Sequence, residues 1–172
     1  MAAWTEDEAA AVEQAEHDRM DPDATYVGVT GTRTYYPEER IYHDLTQLQH
    51  RHADALVVVF GDAQGVDRVT WDYVRVLRIR HVRELADWDT QGKRAGHVRN
   101  AKVVERVSRL LAYLGPAPYL ADVANRSPGT CDAISQALDR GLPVHAWFAD
   151  RWLSETELAS IRAEVHRKRS RR

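Results

Sequence analysis

From Tyr26 onward, short apolar runs alternate with stretches in which apolar residues recur every three or four positions. The runs fall at 26–30, 55–60, 82–85, 109–114 and 144–148, each of strand length. Between them the spacing is helical. Ile41, Leu45 and Leu48 share a face of a helix starting at Pro37, and Trp71, Val74 and Leu77 continue one that starts at Gly65. Val103, Val104 and Val107 mark a helix over 97–107, and Ile134, Ala137 and Leu138 mark one that begins at Pro128 and stops at Gly141. This alternation predicts an α/β fold: a Rossmann-like, doubly wound, mainly parallel five-stranded sheet with flanking helices. Two further helices are expected outside it, over 5–20 and over 154–168, the second with Leu158, Ile161 and Val165 on one face. The expected organisation is a helical appendage over 1–24, a nucleotide-binding domain over 25–150, and a C-terminal helix with a basic tail over 151–172.

At 172 residues the chain supports one well-developed core. A formal net charge of −2 argues against coating nucleic acid through the overall field, although charge can be concentrated locally. Nucleic acid is therefore not favoured as a partner over a small ligand. Cys131 is the single cysteine, which excludes an internal disulfide and multi-cysteine zinc sites. The eight histidines show no paired ligand spacing, with His43, His50 and His52 expected on a helix surface, so no metal is expected. Met1 is followed by acidic residues and no apolar run reaches membrane-spanning length, which fits a soluble cytoplasmic protein without membrane attachment. The run Arg-Lys-Arg-Ser-Arg-Arg over 167–172 could touch nucleic acid, but a terminal basic run reads first as a frayed, solvated end.

Four polar segments interrupt the pattern where strands give way to helices. Gly31-Thr32-Arg33 follows the first strand and offers close backbone approach, a hydroxyl and a bidentate guanidinium. Gly61 to Arg68 follows the second and places Asp67 and Arg68 in the first turn of a helix, where a carboxylate accepts from ribose hydroxyls or interacts with the helix dipole. Residues 86–96 form a polar loop longer than such connections usually are, with Trp88 as a stacking plane and Lys93 and Arg94 as phosphate donors. Arg99 and Asn100 follow in the next helix. The fourth segment, Ser127-Pro128-Gly129-Thr130, reads as a helix start with Ser127 as N-cap. Capping does not account for Gly129, which weakens a helix unless something must approach its backbone. A phosphate would meet free N–H groups there. Asp132, just beyond, opposes a phosphate and is better suited to a hydroxyl or to proton transfer.

Together these segments resemble the YspA/YpsA-related branch of the SLOG superfamily, which also includes the Lonely Guy phosphoribohydrolases and the DNA-processing protein DprA. The resemblance covers about residues 26–148, and Gly-Lys-Arg-Ala-Gly-His-Val-Arg-Asn over 92–100 is its most specific part. It implies a nucleotide or nucleotide-derived ligand at the carboxyl edge of the sheet. Gly31, Thr32, Arg33, Gly61, Asp67, Arg68, Trp88, Lys93, Arg94, Asn100, Ser127, Gly129 and Thr130 would then bind it. If the protein is an enzyme, Asp132 and Arg99 are the expected catalytic pair for cleavage or transfer at an N-glycosidic bond. The Lonely Guy turn carries more glycines and a catalytic glutamate, which this chain lacks. The rival readings are a non-catalytic sensor or sequestering protein for a nucleotide signal and a DprA-like binder of single-stranded DNA. A homodimer or higher homo-oligomer is expected, and no cofactor.

Overall fold

A computed structural model of the chain describes residues 20–34, 36–117 and 119–171. Apart from Met20, the helix expected over 5–20 lies outside the described residues.

Six strands form one sheet: β1 (Thr25–Gly31), β2 (Leu56–Phe60), β3 (Arg80–Arg83), β4 (Arg109–Tyr113), β5 (Val144–Phe148) and β6 (Arg151–Trp152). Their order is β3-β2-β1-β4-β5-β6, with the first five parallel. β1 pairs with β2 from Thr25 opposite Leu56, and with β4 from Val27 opposite Arg109. All five residues of β2 are buried, as expected of a parallel strand covered on both faces. The sixth strand was not legible as a separate run. It is two residues long and antiparallel to β5.

The helices are α1 (Glu38–His52), α2 (Val66–Val76), α3 (Trp88–Gln91), α4 (Ala95–Arg106), α5 (Val123–Arg126), α6 (Pro128–Asp139) and α7 (Glu155–Arg169). α1 and α2 cover one face of the sheet, where Ile41, Leu45, Leu48, Val66, Val69 and Val74 pack with Val27, Val29, Val58 and Phe60. On the opposite face α4, α6 and α7 bury Val104, Ile134, Leu158, Ile161 and Val165 with Leu110, Ala112 and Phe148. Thus α7 shares the core of the sheet rather than extending from it. Its start is fastened by a reciprocal capping box between Ser154 and Glu157. Its body is tied to α6 by Arg162 Nε and His166 Nε2, 2.6 and 2.9 Å from the two oxygens of Asp139. Burial raises the Asp139 pKa, but these bonds outweigh it and hold the group below its ordinary value.

Two expected loops are partly helical. The stretch 86–96 contains α3, capped by Asp87 through Thr90 N, and a 3-10 turn at Gly92–Arg94 before α4 begins. The stretch 115–128 contains a 3-10 turn at Leu120–Asp122 and α5. Segments this short carry too few apolar positions to reveal a period.

The β5–β6 hairpin turns through Ala149 and Asp150, both at positive φ (48° and 59°). A two-residue hairpin loop with both φ positive suits glycine and asparagine, whereas alanine there costs about 1–2 kcal/mol. Ala149→Gly is therefore expected to raise stability by a net ~0.5–1 kcal/mol after the added freedom of the unfolded chain. Thermal unfolding would show it as a rise in Tm of about 1–4 °C. A fall in Tm would show that the turn does not need this backbone.

Candidate functional site

β2 lies on one side of β1 and β4 on the other, so the chain reverses direction across the sheet at β1. Such a switch point leaves a crevice beyond the carboxyl ends of the strands. The cleft there has a volume of about 520 Å³. Arg33 reaches it from the end of β1, Trp88, Lys93 and Arg94 from the α3 region, and His97, Arg99 and Asn100 from α4. Gly129 and Asp132 come from α6, and Lys168 and Arg169 from the end of α7. Six basic side chains thus face it against the single carboxylate of Asp132. In a chain of net charge −2, six of the 24 Lys and Arg residues thus line one cleft.

The cleft is held by a chain of polar contacts that begins below it. Arg99 is only 8% exposed. Its Nη1 lies 2.7 Å from Asp62 Oδ1 and 3.6 Å from Asp67 Oδ2, and its Nη2 donates to Asn100 Oδ1 at 3.2 Å. Asn100 Nδ2 then donates to the carbonyl of Gly129 at 3.0 Å and to Asp132 Oδ2 at 3.1 Å. Burial of Asp67 raises its pKa to about 6, against the lowering effect of Arg99 and of the Ala63 N–H. Arg99 is therefore largely neutralised from within the protein, and it locks the turn after β2 to the start of α6. Gly61 belongs to the same layer: a Cβ there would lie 2.6 Å from Asp67 Oδ2 and 2.7 Å from Arg99 Cζ.

Asp132 is the most heavily bonded group in the cleft. It accepts from His97 Nδ1 at 2.9 and 3.0 Å, from Asn100, from Gln136 Nε2 at 2.8 Å and from Arg169. Lys168 is anchored to Asn125. The tail expected to be a solvated end is thus helical to Arg169, and its Lys168 and Arg169 wall the cleft. In sequence they lie far from the motifs, so only the packing of α7 on α6 brings them there.

The start of α6 departs from expectation in one respect. Ser127 occupies the N-cap position, but its side chain makes no capping hydrogen bond. Ser127 is buried instead, its Oγ 3.4 Å from where a Cβ on Gly115 would stand. The N–H groups of Gly129 and Thr130 therefore keep no side-chain partner among the described residues, and a Cβ built on Gly129 would meet nothing within 4 Å. No neighbour within the protein requires a glycine at that position.

Of the sequence candidates, Arg33, Trp88, Lys93, Arg94, Arg99, Asn100, Gly129 and Asp132 converge on this cleft. Gly61, Asp67 and Arg68 line a neighbouring groove of about 340 Å³ with Trp71 and Arg83. There Arg68 pairs with Asp72, and Arg83 lies 3.7 Å over the Trp71 ring. Gly31, Thr32, Ser127 and Thr130 line neither, and Thr32, Ser127 and Thr130 are buried. Gly31 and Gly65 serve close packing, since a Cβ would lie 2.4 Å from Val66 Cγ2 in the first case and 2.2 Å from the Thr32 carbonyl in the second. Cys131 is buried, which pushes its thiol up to about 12 and leaves it unreactive. His97 and Asp62 were not anticipated as site residues, and Lys168 and Arg169 were anticipated only as part of a tail that could touch nucleic acid. Among the described residues no helix is long and apolar enough to cross a membrane, and no cluster of three or more metal-ligating side chains occurs.

Sheet, crevice and flanking helices define a Rossmann-like α/β protein with a cationic cleft at its switch point. The fold is also that of DNA processing protein A (DprA) from Streptococcus pneumoniae, with a TM-score of 0.58 at 13% identity. The match covers 84% of this chain and 56% of the DprA chain, so this protein spans little more than half of that one. No protein-family model matches the sequence. The chain belongs to the family of the Gene 61 protein of Mycobacterium phage D29, with 32% identity over 121 residues that cover 67% of this chain and 90% of that protein.

Proposed function

We propose that the cleft binds a nucleotide or nucleotide-derived small molecule through its phosphate, as in the YspA/YpsA-related branch of the SLOG fold. The observation that carries this reading is the bare amino terminus of α6: uncapped N–H groups beside an open Gly129, facing a wall of cations. Lys93 and Arg94 are exposed, and their side chains have no hydrogen-bond or ion-pair partner among the described residues, so they are free to meet the phosphate. Arg99, committed to Asp62 and Asp67, shapes the cleft more than it meets the ligand.

Isothermal titration with a panel of nucleoside phosphates, dinucleotides and cyclic nucleotides tests the reading. Lys93→Ala combined with Arg94→Ala should weaken the best ligand at least about tenfold, the equivalent of one charge-assisted hydrogen bond, without altering Tm. Unchanged affinity in that variant would place the phosphate elsewhere.

A second reading, single-stranded nucleic acid, is favoured by Trp88. It is 48% exposed on the rim of the same cationic cleft, the combination of stacking plane and charge that strand-binding surfaces use. Tighter binding of oligonucleotides than of mononucleotides, with steep salt dependence, would select it.

A further inference from the structure

His97 and Asp132, 35 residues apart, meet in the cleft in a geometry that capping and packing do not require. Both carboxylate oxygens lie within 3.0 Å of Nδ1, so that nitrogen carries the proton; a lone pair there would face the carboxylate. In its neutral form the ring therefore presents its Nε2 lone pair, which has no partner among the described residues, from a side chain 47% exposed at the cleft. Asn100 and Gln136 hold the carboxylate at 3.1 and 2.8 Å, and Arg169 donates to its other oxygen, so the pair is fixed from three sides. A carboxylate orienting an imidazole in this way is the arrangement of an activated general base.

The charge around the pair selects the reaction. Cleavage at an N-glycosidic bond develops positive charge on the sugar, which the uncommitted cations Lys93 and Arg94 oppose. Attack on phosphorus concentrates negative charge on phosphoryl oxygens, which the same cations stabilise. Resting on the reading that the cleft holds a nucleotide phosphate, we propose that His97 is a catalytic residue for water attack on a nucleotide phosphodiester, cyclic or linking two nucleosides, with Asp132 as its positioning residue. His97 Nε2 takes a proton from water as the water oxygen bonds to phosphorus. The bond from phosphorus to a ribose oxygen breaks, and that oxygen keeps the electron pair. It is protonated from solvent, to which Nε2 releases the proton it took, which returns the ring to neutrality and leaves a phosphomonoester and a free hydroxyl. The roles of Asp132 and Arg99 are then to orient the base and to hold the cleft together.

The test is to incubate the full chain with 3′,5′-cyclic nucleotides and dinucleotides, measuring binding by titration and products by chromatography in parallel. The expected result is a phosphomonoester from at least one diester. His97→Gln and His97→Ala should lower kcat about 10²-fold or more while Kd changes little, and added imidazole should restore part of the His97→Ala rate. Asp132→Asn should lower kcat and change the pH profile, which loss of a merely structural contact would not do. Binding without product overturns the proposal and leaves nucleotide binding standing. Release of free base also overturns it, in favour of chemistry at the sugar, as does a His97→Gln protein with undiminished turnover. Failure of every nucleotide to bind overturns the binding reading itself.

Discussion

Arg99→Met should cost about 3–5 kcal/mol of stability at neutral pH, because it strips the counter-charge from Asp62 and Asp67 while leaving both carboxylates in place. Methionine keeps much of the side-chain volume, so the loss reports charge rather than a cavity. The loss should depend on pH in a definite direction. Burial raises the Asp67 pKa to about 6 from an ordinary 3.8, so between those values the folded protein holds a proton that the unfolded chain releases. Stability from this group therefore rises as pH falls through that window and declines as pH rises through it, by about 3 kcal/mol in all. Without Arg99 the group is raised further, and acid recovers more of the lost stability. Urea unfolding of both proteins at pH 7 and pH 5 measures this. An equal loss at the two values, or a loss below about 1 kcal/mol, would mean that the ion pair does not govern the layer. Asp67→Asn should flatten the pH dependence of the otherwise native protein between about 4 and 6.

Gly129→Ala should separate stability from binding. The added methyl meets nothing within 4 Å, and alanine in a helix is worth up to about 1 kcal/mol over glycine. The variant should melt at the same temperature or higher. A phosphate seated on the first N–H groups of α6 would meet the methyl, and binding should weaken by at least about tenfold, or roughly 1.4 kcal/mol. Calorimetric melting and ligand titration on the same preparation give both numbers. If the two move together, or if affinity is unchanged, the ligand does not sit on the start of α6. The corresponding change at Gly61 is not equivalent, because a Cβ there collides with Asp67 and Arg99 and would damage fold and cleft together.

The sequence by itself determined the parallel sheet and the helices that cover it, because that information is local. A fully apolar Leu56–Phe60 and the spacing of Ile41, Leu45 and Leu48 suffice to identify a buried strand and a one-sided helix. It also marked the turns, since Gly31 and Gly61 stand where apolar runs end and Gly129 where a helical pattern begins. Tertiary structure decided what each turn does. Gly61 makes room for an internal ion pair while Gly129 faces open space, a distinction set by neighbours from α4 and α2 rather than by the flanking sequence. It turned the expected cap at Ser127 into a buried hydroxyl and brought the basic end of α7 into the cleft. It also joined His97 to Asp132, because α4 and α6 pack side by side in a register that no local period encodes.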